Sequence, residues 1–391
     1  MRSLIFLFSF FVFAGQGCRP ERKYATADMP VMTDTLRHLE ITWDTGARKI
    51  SHDVYFAEYG RLRSISGDTV ILVYQCGPKG REWNTIGMRR SFNNGDSWPE
   101  LQLFQPGRYY DGYCNPDVIA MKNGQLLMAY TARAFRGDTS ENHLQIRISS
   151  DRGKSWTKGR TIARGLFWEP GLLSLPDGRI ELFHTVEYPN RDAQGRPEQG
   201  IMRRSSMDYG QSWSDPILVS FLPGKRDGMP VPLLLKDGKG MLLAIESVHH
   251  RNSPEIIWSS LKAKWNYPTH GSTENGRRWY GAAEPIWGGA PSMVQLPSGE
   301  TVIAMQTEGG RKIERYSGWK KNTMQVLVGN SMGKNFGSLS QPYPNLPVTE
   351  GAYFSSLFLK DPQTIVLVSS RSFKDGHSEV WWKEGRIKKQ E

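Results

Sequence analysis

The chain has 391 residues, 38% apolar and 23% charged, which excludes a disordered polymer and describes an ordinary globular protein. Forty Gly, 23 Pro, 13 Trp and 15 Tyr lean it toward an all-β fold rich in turns. The net charge of +11 is dispersed, without the block of Arg and Lys that phosphate binding uses, so no nucleic-acid partner is expected.

Only Leu4 to Phe13 is continuously apolar, and ten residues are too few for a helix across a bilayer. The run follows Met1-Arg2 and ends in "AGQGC", the layout of an export signal over residues 1–17. Cys18 resembles a bacterial lipoprotein site with a loose consensus, since Gly15 and Gln16 depart from the preferred residues. Lipidation and plain signal cleavage both stay open. Either way the protein is expected to be exported: periplasmic, an outer-membrane lipoprotein or secreted. It would meet a membrane only through a lipid at Cys18. Removing the signal leaves a net charge of +10. Residues 18–35 read as a tether and 36–391 as one domain. Cys76 and Cys114 remain, and a disulfide or two free thiols are equally compatible with them.

After the tether, "HLEITWDT" (38–45) is an alternating strand without a hairpin partner of its own. Then a repeat begins. "SFNNGDSW", "SSDRGKSW" and "SMDYGQSW" end at Trp98, Trp156 and Trp213, at intervals of 58 and 57 residues. "STENGRRW", ending at Trp279, and "GNSMGKNF", ending at Phe336, continue the series in decayed form. "WSSLKAKW", ending at Trp265, fits the fourth place about as well. Tight turns join two β-rich runs at "ISGD" (65–68), "KNGQ" (122–125), "PDGR" (176–179), "KDGK" (236–239), "PSGE" (297–300) and "KDPQ" (360–363). Four strands in 55–60 residues, repeated six times, predict a six-bladed β-propeller of four-stranded antiparallel blades. The last repeat lacks a fourth strand. Residues 38–45 are expected to supply it, lying beside Ser378–Trp382 and closing the ring.

The tryptophan-terminated repeats resemble the Asp boxes of the sialidase-like superfamily, also called bacterial neuraminidase repeats. The resemblance implies that the box is structural and lies on the turn between third and fourth strands. Function then belongs to the opposite end, where first strands begin and second strands finish. Starts of first strands carry Tyr59, Arg61, Asn115, Asp117, Glu169, Asp227, Pro291 and Tyr353. Ends of second strands carry Gln75, Arg133, Glu187, Glu246, Glu308 and Arg371.

That list holds carboxylates converging on one axis and aromatics able to stack on sugar rings. It has no His or Cys spacing for a metal, no phosphate loop and no nucleophile elbow, so neither metal nor cofactor is expected. His249-His250 reads as surface or packing. Paired carboxylates on a rigid frame suit glycoside hydrolysis, one protonated to donate to the leaving oxygen and one ionised. Glu169, with Trp168 beside it as a stacking platform, and Glu246 in the next blade are the candidate pair. The bland alternative pairs either Glu with an arginine such as Arg226.

"WEP" in the third blade, "DGMPVPLLLKDGKGMLLAIES" in the fourth and "YFSSLF" in the sixth resemble the exo-α-1,5-L-arabinanases of this clan. The resemblance implies a retaining exo-glycosidase with Glu169 as nucleophile, Glu246 as acid/base and Tyr353 as a modulator, the two glutamate labels being interchangeable. Arg61, Asn115, Asp117, Arg133, Trp168, Glu187 and Arg371 would contact an oligo- or polysaccharide substrate, and a monomer is expected. The alternative enzyme is an exo-α-sialidase, because "YGRLRSIS" is similar to the first-arginine strand of that family. Its carboxylate-gripping arginine triad finds only Arg61, with Arg133 or Arg371 as poor partners. A non-catalytic propeller binding glycans or proteins is the third reading.

Overall fold

The computed structural model describes residues 39–389 except 81–84, 108–109, 135–141, 249–252, 263, 267, 270–275, 283–287, 310 and 312–318. The expected signal, Cys18, the tether and His249-His250 therefore lie outside the described residues. Strands dominate, as the aromatic and β-branched content predicts. Two short ones come first, β1 (Leu39–Trp43) and β2 (Arg48–Lys49). A first unit follows with β3 (Phe56–Ser66), β4 (Thr69–Gly77), β5 (Thr85–Ser91) and β6 (Glu100–Phe104). The second has β7 (Tyr110–Ala120), β8 (Leu126–Ala134), β9 (Asn142–Ser149) and β10 (Arg160–Gly165). The third has β11 (Phe167–Ser174), β12 (Ile180–Arg191), β13 (Pro197–Ser206) and β14 (Ile217–Phe221). The fourth has β15 (Arg226–Leu234), β16 (Gly240–Val248), β17 (Ser253–Ser260) and β18 (Arg278–Tyr280). The fifth has β19 (Gly288–Gln295), β20 (Thr301–Thr307), β21 (Thr323–Gly329) and β22 (Gly337–Ser340), and the last runs β23 (Gly351–Asp361), β24 (Thr364–Ser372) and β25 (Ser378–Lys389).

Within each unit successive strands pair antiparallel. The sheets do not separate as six equal blades. Single parallel bridges, Ser378 to Phe56 and Gln199 to Arg226, fuse units into sheets of nine and eight strands beside two of four. The apolar cores explain why the units stay together. Each cluster of buried side chains lies between one unit and the next, as with Ile71, Val73, Val118 and Met128. One of them joins the last unit to the first through Val366, Val368, Leu62 and Leu72. The first strands β3, β7, β11, β15, β19 and β23 touch in that order, and β23 returns to β3.

All six hairpin turns fall between first and second strands, as expected. The tryptophan repeats fall between third and fourth strands. In each of the three clear repeats the Ser hydroxyl accepts the Gly N–H two places past the acid position: Gly95 to Ser91, Gly153 to Ser149 and Gly210 to Ser206, all at 2.8 Å. Asn93, Asp151 and Asp208 accept from Ser97, Ser155 and Ser212 across the turn. The fourth place is decided by burial. Trp265, 1% exposed, follows β17 directly, whereas "STENGRRW" runs into strand β18, so the turn is "WSSLKAKW".

The N-terminal strand pairs with the last strand, but in a different register from the one expected. β1 lies along Gly385–Lys389, and β2 with Ile50 takes the place beside Val380–Trp382. The reason is the length of β25, whose twelve residues extend well past Trp382. Cys76 and Cys114 are free and buried, and burial pushes each thiol up to about 12. Among the described residues no helix is long and apolar enough to cross a membrane.

Candidate active site

Every first strand breaks its ladder at the same place. The register shifts at Glu58/Arg61, Cys114/Asp117, Trp168/Gly171, Gly228/Val231, Gly289/Ser292 and Tyr353/Ser355. The residue inside each shift has positive φ: Tyr59, Asn115, Glu169, Met229, Ala290 and Phe354, between 44° and 59°. These are β-bulges, and each adds one residue whose N–H the neighbouring strand cannot pair. Tyr59, Met229 and Ala290 meet in one buried cluster with Phe354 packed on it.

A second-strand side chain supplies the missing acceptor. Gln75, Thr131, Thr185, Glu246, Gln306 and Ser370 are equivalent, each the ladder partner of the residue just before a bulge. Asn115 N–H donates to Gln75 Oε1 at 3.1 Å, Phe354 N–H to Gln306 Oε1 at 3.1 Å and Tyr59 N–H to Ser370 Oγ at 3.0 Å. Ala290 N–H donates to Glu246 Oε2 at 2.6 Å. At a fifth place a bulge residue intervenes, Met229 N–H and Thr185 Oγ1 both donating to Glu169 Oε2, at 2.8 and 2.9 Å, and at the sixth the buried Thr131 Oγ1 makes no hydrogen bond among the described residues. Glu246 is therefore the only carboxylate among six equivalent braces, and Glu169 the only one among six bulge residues.

The chain makes room for both. The pre-bulge position holds Glu58, Cys114, Trp168 and Tyr353 elsewhere, but glycine at 228 and 289. A Cβ on Gly228 would lie 3.2 Å from Glu169 Oε2, and one on Gly289 would collide with Glu246 Oε2. Since Gly228 is also the ladder partner of Glu246, the two glutamates flank the same glycine. Both are half-buried. Burial raises Glu169 above the usual carboxylate range, opposed by the Met229 N–H and Thr185 hydroxyl, then by Arg226 and Arg61. Burial and the charge of Glu169 push Glu246 up to about 7. Both carboxyls are thus held above the usual range, and the charge of Glu169 favours a proton on Glu246.

The other expected residues divide. Arg133 lies over the Trp168 ring, 5.6 Å from its centroid. Asn115 occupies a bulge. Glu187, two residues beyond the brace position, accepts from Gln199 and from Arg226 at 3.2 Å. Arg226 therefore pairs with Glu187 and reaches Glu169 and Glu246 only through its field.

Asp117, 1% exposed, is consumed structurally, bonding Leu172 N–H at 2.9 Å and Arg63 at 3.0 Å. Asp227 is likewise buried against Arg278. Arg61, 5% exposed, stacks under Tyr59 at 4.1 Å and donates to the Ser355 carbonyl, so it faces the axial cavity below the bulges rather than an incoming sugar. Arg371 is one residue off the brace position of Ser370, which turns it to the opposite face of the sheet. There it pairs with Glu350 at 2.8 Å. The three arginines do not converge.

Tyr353 needs the same correction. It precedes the bulge, and Phe354 stands at the position equivalent to Glu169. The Tyr353 ring is 0% exposed and its hydroxyl bonds Glu58 and Ser378, each at 2.8 Å. Tyr353→Phe is expected to cost about 1–2 kcal/mol of stability, read by denaturant unfolding, and to leave kcat/KM within a few-fold.

Sequence reading missed Thr185, Met229, Ala290 and Phe354, and named Arg226 only as a structural partner for the glutamates. A signal was present: the bulge residue is followed by Pro in "CNPD", "WEPG", "GMPV" and "GAPS" and by Gly or Ser in "EYGR" and "YFSS". Proline fits a bulge because it has no N–H to leave unpaired.

No protein-family model matches the sequence, and no curated protein matches it. Solved structures do. A Dyadobacter fermentans protein of unknown function aligns with TM-score 0.64 at 13% identity, over 88% of this chain and all of that one. A GH93 α-L-arabinofuranosidase of Fusarium graminearum, solved with arabinobiose, aligns at 0.62 and 14%, over 89% and 97%. The NanB sialidase of Streptococcus pneumoniae aligns at 0.61 and 12%, over 88% and 70%. At these identities the likeness establishes the sialidase-like fold.

Proposed function

We propose that this chain is an exported, exo-acting glycoside hydrolase built as a six-bladed propeller, with Glu169 as nucleophile and Glu246 as acid/base. The carrying observation is the placement of the only axial carboxylates on adjacent units, each tethered through one oxygen to a bulge N–H. Six interfacial cores and the closed sequence of first-strand contacts support the blade count. Glu246, raised to about 7, donates to the leaving oxygen as Glu169 attacks the anomeric carbon. It then takes a proton from the water that releases the sugar, with net retention. Trp168 forms one wall of the sugar site and Arg133 holds that ring in place.

A neutral sugar fits better than sialic acid, because among the described residues the expected trio of Arg61, Arg133 and Arg371 does not converge to grip a substrate carboxylate. An arabinan-like chain is the favoured substrate, in line with the arabinobiose-bound neighbour. The protein acts outside the cytoplasm as a monomer, free or held by a lipid at Cys18.

Aryl glycosides and arabino-oligosaccharides distinguish the readings, with the first-formed anomer followed by proton NMR. Terminal arabinose released with retained configuration is the expected result, and carboxyl groups about 5–5.5 Å apart in an experimental structure go with it. Cleavage of sialosides, inversion, or no cleavage of any substrate overturns the reading. Activity should also fall as pH rises through about 7, where Glu246 loses its proton.

A further inference from the structure

A second cavity, of about 550 Å³, opens at the seam where β1 meets β25 and the segment after β22. Its lining includes Trp43, Tyr343, Arg371 and Lys383. None of these is a bulge or brace residue.

Its electrostatics are unusual for an incidental crevice. Lys383 is 4% exposed and Arg371 9%. The Lys383 ammonium donates only to the Thr45 carbonyl, at 3.3 Å, and forms no ion pair among the described residues. Asp44, exposed on the rim, reaches it only through its field. Arg371 is matched by Glu350 at 2.8 Å, yet its Nε is buried without a partner. Both cations lie over Tyr343, at 4.8 and 5.6 Å from the ring centroid. Burying a cation without a counter-charge is costly, and an anion in the cavity would relieve that cost. The rest of the lining mixes polar groups with apolar surface from Pro342, Pro344, Leu346 and Trp43, whose indole is fixed by its Nε1 bond to Ser340 at 3.0 Å. A small inorganic anion would leave that apolar surface unused, whereas a pyranose ring bearing a carboxylate would cover it.

We propose that the seam cavity is a second carbohydrate site that takes a carboxylate-bearing (uronate) sugar, with Lys383 and Arg371 on the anion and Trp43 beside the ring. This site does not depend on the reaction at the axial glutamates. The mature charge of +10 favours approach of acidic glycans. Such a ligand would span β1 and β25, so it would also hold the N-terminal strand in place.

Galacturonate, galactose and acetate, titrated by calorimetry against the full chain, test the proposal. Galacturonate is expected to bind in the millimolar range and to raise Tm. Galactose and acetate should bind at least tenfold more weakly, because each lacks half of the recognised chemistry. Lys383→Met should weaken galacturonate at least fivefold while leaving glycosidase turnover unchanged, and Lys383→Gln should do the same if the Met variant folds poorly. Glu246→Gln should bind galacturonate as wild type does, which separates this site from the axial one. Equal binding of galacturonate to wild type and both Lys383 variants overturns the proposal. So does acetate or galactose binding as tightly as galacturonate.

Discussion

Glu246→Gln is expected to cut turnover on substrates with poor leaving groups by about 10²- to 10⁴-fold, the usual worth of general-acid help. Aryl glycosides with activated leaving groups should lose far less. The fold should survive, because the protein already uses glutamine at this brace. Gln75 and Gln306 hold the bulge N–H of the next unit through Oε1, and Gln at 246 can hold Ala290 in the same way.

At alkaline pH the variant should in fact be more stable than wild type. The folded-state pKa of Glu246 lies above its ordinary value of 4.5, at about 7. The wild-type fold therefore loses stability as pH climbs from about 4.5 to 7, and the full cost is present above that. The variant has no such loss. It should be more stable by about 2 kcal/mol at pH 8, a figure reduced for the half-exposed setting, with no difference at pH 4. Paired urea unfolding curves at the two pH values measure this. A variant that keeps full activity, or one destabilised at both pH values, would mean that Glu246 is a brace and nothing more.

The second large effect concerns Glu169→Gln. Loss of a nucleophile should lower turnover by roughly 10⁴-fold or more on every leaving group, with no rescue from activated aryl glycosides. That contrast in leaving-group dependence assigns the two roles. A second readout does not require activity. The charge of Glu169 is the second cause, after burial, that lifts Glu246. Neutralising it should bring the Glu246 titration down from about 7, as followed by carbon-13 NMR of labelled glutamate. An unmoved titration would show that the two carboxyls do not sense each other, and the paired mechanism would fall.

Much of the fold was legible because its signals are local. A tight turn favours Gly or Pro beside a polar residue whatever surrounds it, so five hairpins sat at "NG", "DG" or "SG" pairs and the sixth at "DP". The tryptophan repeats braced their own turns through side chains within four residues. Glu169 and Glu246 could be picked out because each stands at the edge of an apolar strand, where a carboxylate has no packing use. The decayed fourth repeat left two placements open. "STENGRRW" keeps the letters of the motif, but the buried place after β17 belongs to Trp265.

What amino-acid order alone determined was the number of repeats, the strand content and the end of the fold that carries carboxylates. These depend on spacing along the chain. Which member of each neighbouring pair faces the axis was decided only in three dimensions. A bulge inserts one residue into a strand of period two, and that single step exchanges the two faces. It brings Phe354 rather than Tyr353 to the centre, and the matching one-residue offset on β24 sends Arg371 to the seam cavity instead of the site. The division of roles between the glutamates is tertiary as well. Glu169 takes two donors and the fields of Arg226 and Arg61, whereas Glu246 takes one donor, the fields of Arg226 and Arg196 and the repulsion of Glu169, and those neighbours lie 16 to 108 residues away in sequence.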